Sequence, residues 1–354
     1  MMSELEQQAV RITRFYKSII AWIYKTGTKT QKSRLFYAHS DRNALFICMK
    51  PFAAFRSLSF AQSLQWSERG AIMKVGIIGG GRVGSCFAAY LRDAGALAGI
   101  TASTEQHSRQ LAQEFGVPPM DNAGLWQAAD VLLLTVPDRL IGTAAQELAQ
   151  SVAPAEKIVL HVSGSLGLEP LAPLQAVGAQ VGSLHPLQSF AGGKTQLNGV
   201  YMALDGDSEA QDAARELVQL FGGKAFSVPA AERAAYHAAA CICSNYAVAV
   251  EAMAAQLMSR WTGSDAAAWE ALLPLFKGTA ANLQAAQNPA AVLTGPIARG
   301  DVSTVAKHLA ALPEAILPNY CSLGLATTSL ALANGTIDEN TADELRKLLG
   351  GNYG

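Results

Sequence analysis

The chain has 354 residues, a length that suits about two domains of ordinary size. Hydrophobic residues make up 50% and charged residues 16%, which fills a large core and excludes disorder as the overall class. The net charge of −1 gives no global pull toward nucleic acid or an anionic membrane, and neither is expected as a partner.

That sum hides an asymmetry. Residues 1–72 hold 11 Lys/Arg against 4 Asp/Glu, and residues 73–354 hold 16 against 24. The first 72 residues also hold 11 of the 26 aromatic residues and 2 of the 31 glycines, without a clear hydrophobic period. Three readings compete: a targeting peptide, a basic accessory arm, or a stretch upstream of the natural start. The third is favoured. Met73 directly precedes the first convincing strand, and codons for Glu68-Arg69-Gly70 can form a purine-rich run suited to a bacterial ribosome-binding site. Translation from Met73 would give 282 residues (354 − 72) with a net charge of −8 (16 − 24). The expected domains are thus an extension at 1–72, a dinucleotide-binding domain at 73–206 and a helical substrate and dimerisation domain at 207–354.

From Met73 the grammar is clear. Lys74–Gly79 is a short apolar strand, followed by Gly79-Gly80-Gly81-Arg82-Val83-Gly84 and a helix over Ser85–Ala94. This is G-x-G-x-x-G between strand and helix, the context of a dinucleotide-binding Rossmann turn. Gly79 permits the tight turn, Gly81 lets a pyrophosphate approach the backbone, and Gly84 lets the helix pack closely. Arg82 and Val83 complete the phosphate-facing helix start, where free N–H groups meet an anion.

Leu97–Ala102 is the second predicted strand. An acid at its end would favour NAD, but Ser103 and Thr104 stand just before Glu105, with Arg109 nearby. Hydroxyls and a guanidinium suit a 2′-phosphate, so NADP is preferred, with NAD still open. The alternative is that these hydroxyls cap the next helix. Asp130–Pro137 reads as a fourth strand and Lys157–Val162 as a fifth. Gln180–His185 and Val200–Leu204 follow. Strands alternating with helices predict an α/β Rossmann fold, a doubly wound parallel sheet. Ligands sit beyond the C-terminal ends of such strands, which places Val136, Pro137, Asp138 and Ser163-Gly164 near the nicotinamide.

From about Ser208 the pattern becomes helical and alanine-rich, predicting an all-α C-terminal domain. Ala230 to about Met258 reads as one long helix, buried on most sides and paired with a second copy. On it, His237, Cys241, Ser244 and Asn245 fall at i, i+4, i+7 and i+8, one face of a regular helix. They form either core residues paired with backbone or a substrate face. A second polar cluster holds Thr294, Arg299, Asp301 and His308. Gly295-Pro296 reads as a turn and Asp301 as the N-cap of a helix over Val302–Ala311, with Arg299 free to pair with Asp301 or with a substrate carboxylate. Ala315–Ile337 carries no charge and reads as a buried helix rather than a membrane span. Five scattered cysteines without paired spacing suggest reduced thiols and a cytoplasmic protein, and no metal site is expected.

The strings VGIIGGGRVGSCFA (75–88), ADVLLLTVPD (129–138), HVSGSLG (161–167), GSLHPLQSFA (182–191), YHAAACICSNY (236–246) and LTGPIARGDVSTVAKHLAAL (293–312) resemble a family of oxidoreductases that join a Rossmann-like domain to a C-terminal helical domain of unknown function. The layout is more distantly similar to β-hydroxyacid dehydrogenases, ketopantoate reductase and pyrroline-5-carboxylate reductase. The resemblance implies an NAD(P)-dependent oxidoreductase acting on a small carbonyl or imine. In β-hydroxyacid dehydrogenases a catalytic Lys precedes the Asn, and here that place falls on Cys241, a departure that puts hydroxyacid chemistry in doubt. His237 becomes the expected proton-transfer group, with Asn245 and Ser244 binding the substrate. His185, Thr294, Arg299 and His308 are secondary substrate-binding candidates. An NADP-binding sensor without turnover and hydride exchange with a deazaflavin are the rival readings.

Overall fold

The computed structural model describes residues 73–192 and 194–351. The predicted extension at 1–72 lies outside the described residues.

A seven-stranded sheet forms the first half. Its strands are Val75–Ile78 (β1), Leu97–Thr101 (β2), Val131–Leu134 (β3), Ile158–His161 (β4), Gln180–Pro186 (β5), Tyr201–Gly206 (β6) and Lys224–Ser227 (β7), in the order β2-β1-β3-β4-β5-β6-β7. β1 to β5 are parallel, and their C-terminal ends share one edge.

Two sequence expectations change here. Asp130–Pro137 contributes the third strand, not the fourth. The stretch between helices α2 (Glu105–Phe115) and α3 (Asn122–Ala128) contains Pro118 and Pro119, which have no N–H to give a ladder. The sheet is also not wholly parallel, because β6 runs antiparallel to β5 and β7 follows β6. No helix lies among the described residues between β5 and β6, so the chain has no crossover with which to return in parallel.

Helices cover both faces. One core layer joins Val75, Ile77 and Leu133 to Phe87 and Leu91 of α1 (Arg82–Asp93) and to Leu217 and Phe221 at α6 (Ser208–Leu220). The other joins Ile78, Leu132 and Leu134 to Leu125 and Trp126 of α3, to Ile141 and Leu148 of α4 (Ile141–Ser151) and to Leu174 of α5 (Ala172–Gln175). Burial of this apolar surface is the main drive holding the sheet between its helices.

The second half is helical. α7 (Arg233–Cys241) passes through a π-helical turn, Ile242–Tyr246, into α8 (Ala247–Thr262), which packs on α9 (Asp265–Ala285). A separate small core ties α10 (Val302–Ala311), α11 (Leu317–Ala333) and α12 (Glu339–Gly350) through Val305, Leu309, Cys321, Leu345 and Leu349.

The expectation that the long helix is buried does not hold within one chain. Residues 242–249 are all exposed, and the span Ala230–Thr262 is long and apolar enough to cross a membrane by length and composition alone. The uncharged α11 likewise buries one face only, leaving Leu323 and Leu330 exposed.

Candidate active site and nucleotide cleft

The glycine turn is built as its spacing predicts. Gly79 has φ +120°, and a Cβ there would lie 2.7 Å from the Thr135 backbone. A Cβ on Gly84 would lie 1.9 Å from the Gly79 oxygen, so α1 starts hard against the turn. A Cβ on Gly81 would meet nothing within 4 Å. That open face beside the N-terminus of α1 is a cradle a pyrophosphate can enter. Thr135 is the hidden fastener: its buried hydroxyl donates to the Gly79 carbonyl at 2.6 Å. Arg82 is exposed and Val83 half-buried at the helix start.

Beyond β2 lies a cleft of about 470 Å³ lined by Thr101, Ala102, Glu105, Ser108, Arg109, Pro119, Met120, Asp121 and Asn122. Its size and place suit the adenosine half of a dinucleotide. Ser103 and Thr104 do not line it. Thr104 caps α2, its hydroxyl oxygen accepting the His107 N–H at 3.2 Å. Arg109 forms an exposed ion pair with Glu105 at 2.5 Å.

The nicotinamide end is organised by the loop after β4. Ser163 donates its hydroxyl to Asp138 at 2.6 Å, and the Ser163 N–H donates to His161 Nδ1 at 3.2 Å. His161 Nε2 therefore carries the proton and donates to the Gly167 carbonyl at 2.9 Å. Burial holds the His161 imidazole neutral, with its pKa lowered to about 4. Val136 and Pro137 sit across from this loop at the end of β3, as the topology predicts.

Gly164 carries the decisive contact. A Cβ there would lie 2.7 Å from His185 Cε1 and Nε2 and 2.7 Å from His237 Cδ2. Two candidate residues 52 positions apart thus meet on one glycine, His185 from the end of β5 and His237 from α7 (237 − 185). Their ring centroids are 5.9 Å apart. His185 Nδ1 lies 2.5 Å from Tyr236 Oη. Burial, then the neighbouring His237 and Arg233, lower the His185 pKa to about 4, while burial raises the Tyr236 phenol to about 12. The phenol keeps its proton and the imidazole stays neutral, so Tyr236 is the donor.

Arg233 opens α7 and is 1% exposed. It donates to the Ser163 carbonyl and to Ser183 Oγ, each at 2.8 Å, and faces Asp205 Oδ2 at 3.5 Å. It therefore clamps the helix bearing Tyr236 and His237 to the loop bearing Gly164. Sequence reasoning missed Arg233, Tyr236, His161 and Thr135. Tyr236 sits inside the YHAAACICSNY string, and its place beside His237 was the available signal.

The other candidates lie elsewhere. Ser244 and Asn245 fall in the π-helical turn, where the wider helix shifts the register assumed for one face. Both are exposed, and among the described residues neither is hydrogen-bonded to His185 or His237. Cys241 keeps its place one turn after His237, with Sγ 3.9 Å from His237 Nδ1. Thr294 and Arg299 are exposed on the loop before α10. Asp301 caps α10 as predicted, accepting from Thr304 and Ser303, which with Arg299 nearby lowers its pKa to about 2. His308 bonds Tyr320 at 2.8 Å and lines a separate apolar groove between α8, α10 and α11.

The Rossmann-like domain family matches residues 62–186, and the domain of unknown function DUF2520 matches residues 200–327. The two matches follow one another along the chain. No curated protein matches it. Among solved structures, a Bacteroides fragilis protein described as a putative NADP oxidoreductase is 19% identical over 74% of this chain and 97% of that chain, with a TM-score of 0.57. A Thermotoga maritima protein is 22% identical over 78% and 98%, with a TM-score of 0.53. The 1-pyrroline-5-carboxylate reductase of Streptococcus pyogenes is 19% identical over 78% and 99%, with a TM-score of 0.50. These likenesses establish a shared fold.

Proposed function

We propose that this joined Rossmann-like and DUF2520 chain is an NAD(P)-dependent oxidoreductase that prefers NADP and acts on a small carbonyl or imine. One observation carries the reading: the glycine cradle and the His185–Gly164–His237 junction lie on the same C-terminal edge of the parallel strands. When bound, the nicotinamide supplies the hydride. The protein's part is to hold the cofactor through Gly79, Gly81 and Gly84, to orient the substrate over Gly164, and to place an imidazole where a proton is exchanged. NADP preference rests on Arg109 at the rim of the adenosine cleft, where a guanidinium can pair with a 2′-phosphate. The Bacteroides fragilis relative, described as a putative NADP oxidoreductase, accords with this reading.

We further propose a cytoplasmic homodimer joined through α8 and α9. Ile242 and Tyr246 of the π-helical turn, Val248 and Trp261 of α8, and Leu275 and Leu283 of α9 are exposed, an apolar surface that water disfavours. A membrane is the weaker occupant, because buried Arg233 ties the start of the same helix to the sheet. The four described cysteines are unpaired, in keeping with a reducing compartment.

The test has two arms. Calorimetry with NADPH and NADH measures binding, and NADPH oxidation is followed against a panel of 2-oxo acids, ketopantoate, aldehydes and cyclic imines. Turnover with tighter NADPH binding is expected. Tight binding with no turnover of any substrate or metabolite extract would favour a sensor instead.

A further inference from the structure

We propose that Tyr236 and His185 form a proton relay that serves a carbonyl substrate, the Tyr236 hydroxyl feeding His185 Nδ1 and His185 Nε2 delivering a proton to the carbonyl oxygen. This rests on the oxidoreductase reading above and specifies its substrate class.

The geometry points to this directly. Tyr236 Oη and His185 Nδ1 are 2.5 Å apart, and Nε2, on the opposite side of the ring, abuts Gly164. The two rings meet edge to face at 5.5 Å, and Phe226 packs edge-on against Tyr236 at 5.8 Å, so neither ring is free to turn away. With Nδ1 accepting from the phenol, a neutral imidazole must carry its hydrogen on Nε2. The depressed His185 pKa and the raised Tyr236 pKa agree with that state.

The step balances. The Nε2–H bond breaks as the substrate O–H bond forms, and the Tyr236 Oη–H bond breaks as the Nδ1–H bond forms. The imidazole changes tautomer and stays neutral. Charge ends on the Tyr236 oxygen, near the Arg233 guanidinium, and water returns the proton. The electron pair reaches the carbon with the hydride from a reduced nicotinamide.

A carbonyl needs such a relay because hydride addition leaves an alkoxide. An imine that enters already protonated needs no proton and gains more from a carboxylate. The titratable and charged groups facing His185 are Tyr236, His237 and Arg233 from α7, His161 from β4 and Asp138 from the loop after β3. The carboxylate among them, Asp138, is already engaged by Ser163 and Ser165.

Two measurements test the relay. Nitrogen-15 NMR of histidine-labelled protein, with H185Q to assign the signal, should show the Nε2–H tautomer in the native protein and a loss of that bias in Y236F. A native Nδ1–H tautomer would overturn the assignment without reference to activity. On the best carbonyl from the panel, Y236F should lower kcat by about 100-fold, within the ordinary range for a general acid, with NADPH Kd unchanged. Full turnover in Y236F or exclusive use of imines would overturn the relay alone. Absence of any turnover by the native protein would overturn the oxidoreductase reading, and the relay with it.

Discussion

Replacing Arg233 with Met should destabilise the protein more than any surface change. The side chain is 1% exposed, gives two 2.8 Å hydrogen bonds and faces Asp205 at 3.5 Å. Met matches much of its volume but leaves the Ser163 carbonyl and Ser183 hydroxyl without their donor, and Asp205 without its cation. Breaking a buried pair by removing one partner costs about 3–5 kcal/mol. At about 2–4 °C per kcal/mol for a protein approaching this size, the melting temperature should fall by roughly 6–20 °C. Arg233→Lys keeps the charge but cannot span both acceptors, and should fall between Met and the native residue. Asp205 Oδ2 and Arg233 Nε complete no hydrogen bond among the described residues, so their attraction acts through space. The double variant with Asp205→Asn should therefore lose less than the sum of the two singles. Scanning calorimetry of the native protein, the three single variants and the double variant measures this. A Met variant that melts within a degree of the native protein would refute the claim that Arg233 ties the two halves together.

Acidification should weaken the fold before its carboxylates titrate. His161 and His185 are lowered to about 4, below the unfolded value near 6.5. As pH falls the unfolded chain takes up these protons first, so stability is full above about 6.5 and is lost toward 4, by up to about 1.4 kcal/mol per pH unit for each histidine. Urea denaturation at pH 7, 6 and 5 checks it, and equal stability at all three would count against neutral burial. Gly84→Ala puts a Cβ against the Gly79 oxygen, and should cost about 1–3 kcal/mol and weaken NADPH binding in calorimetry. Retained binding would mean that the turn yields. Thr104→Ala should cost about 1 kcal/mol as a lost N-cap while leaving the NADPH-to-NADH affinity ratio unchanged; a changed ratio would give Thr104 a cofactor role. Ile242→Asp should shift the protein from dimer to monomer in sedimentation, and an unchanged sedimentation coefficient would place the interface elsewhere.

Much of the nucleotide half was legible because its signals are local. The glycines of the turn act through their own backbone dihedrals and the absence of a Cβ, and Asp301 caps α10 through atoms three residues away. The candidate site was legible only in part. His237 could be singled out as a polar group on an apolar helix and His185 as a candidate closing a predicted strand, but nothing in their spacing showed that both rest on Gly164. The face assigned to Ser244 and Asn245 assumed a regular helix, and the π-helical turn leaves them exposed.

By itself the sequence determined the strand–glycine–helix turn, the alternation that makes a parallel sheet, and the helical second half, since each follows from chain-local periodicity and backbone freedom. Only the tertiary structure decided that β6 turns back antiparallel, that Tyr236 meets His185 51 residues away, and that Arg233 reaches across 70 residues to Ser163. Before folding, Arg233 is indistinguishable from the cations that line any surface helix. Its meaning comes from burial, which removes water and leaves the Ser163 carbonyl, Ser183 and Asp205 as its partners.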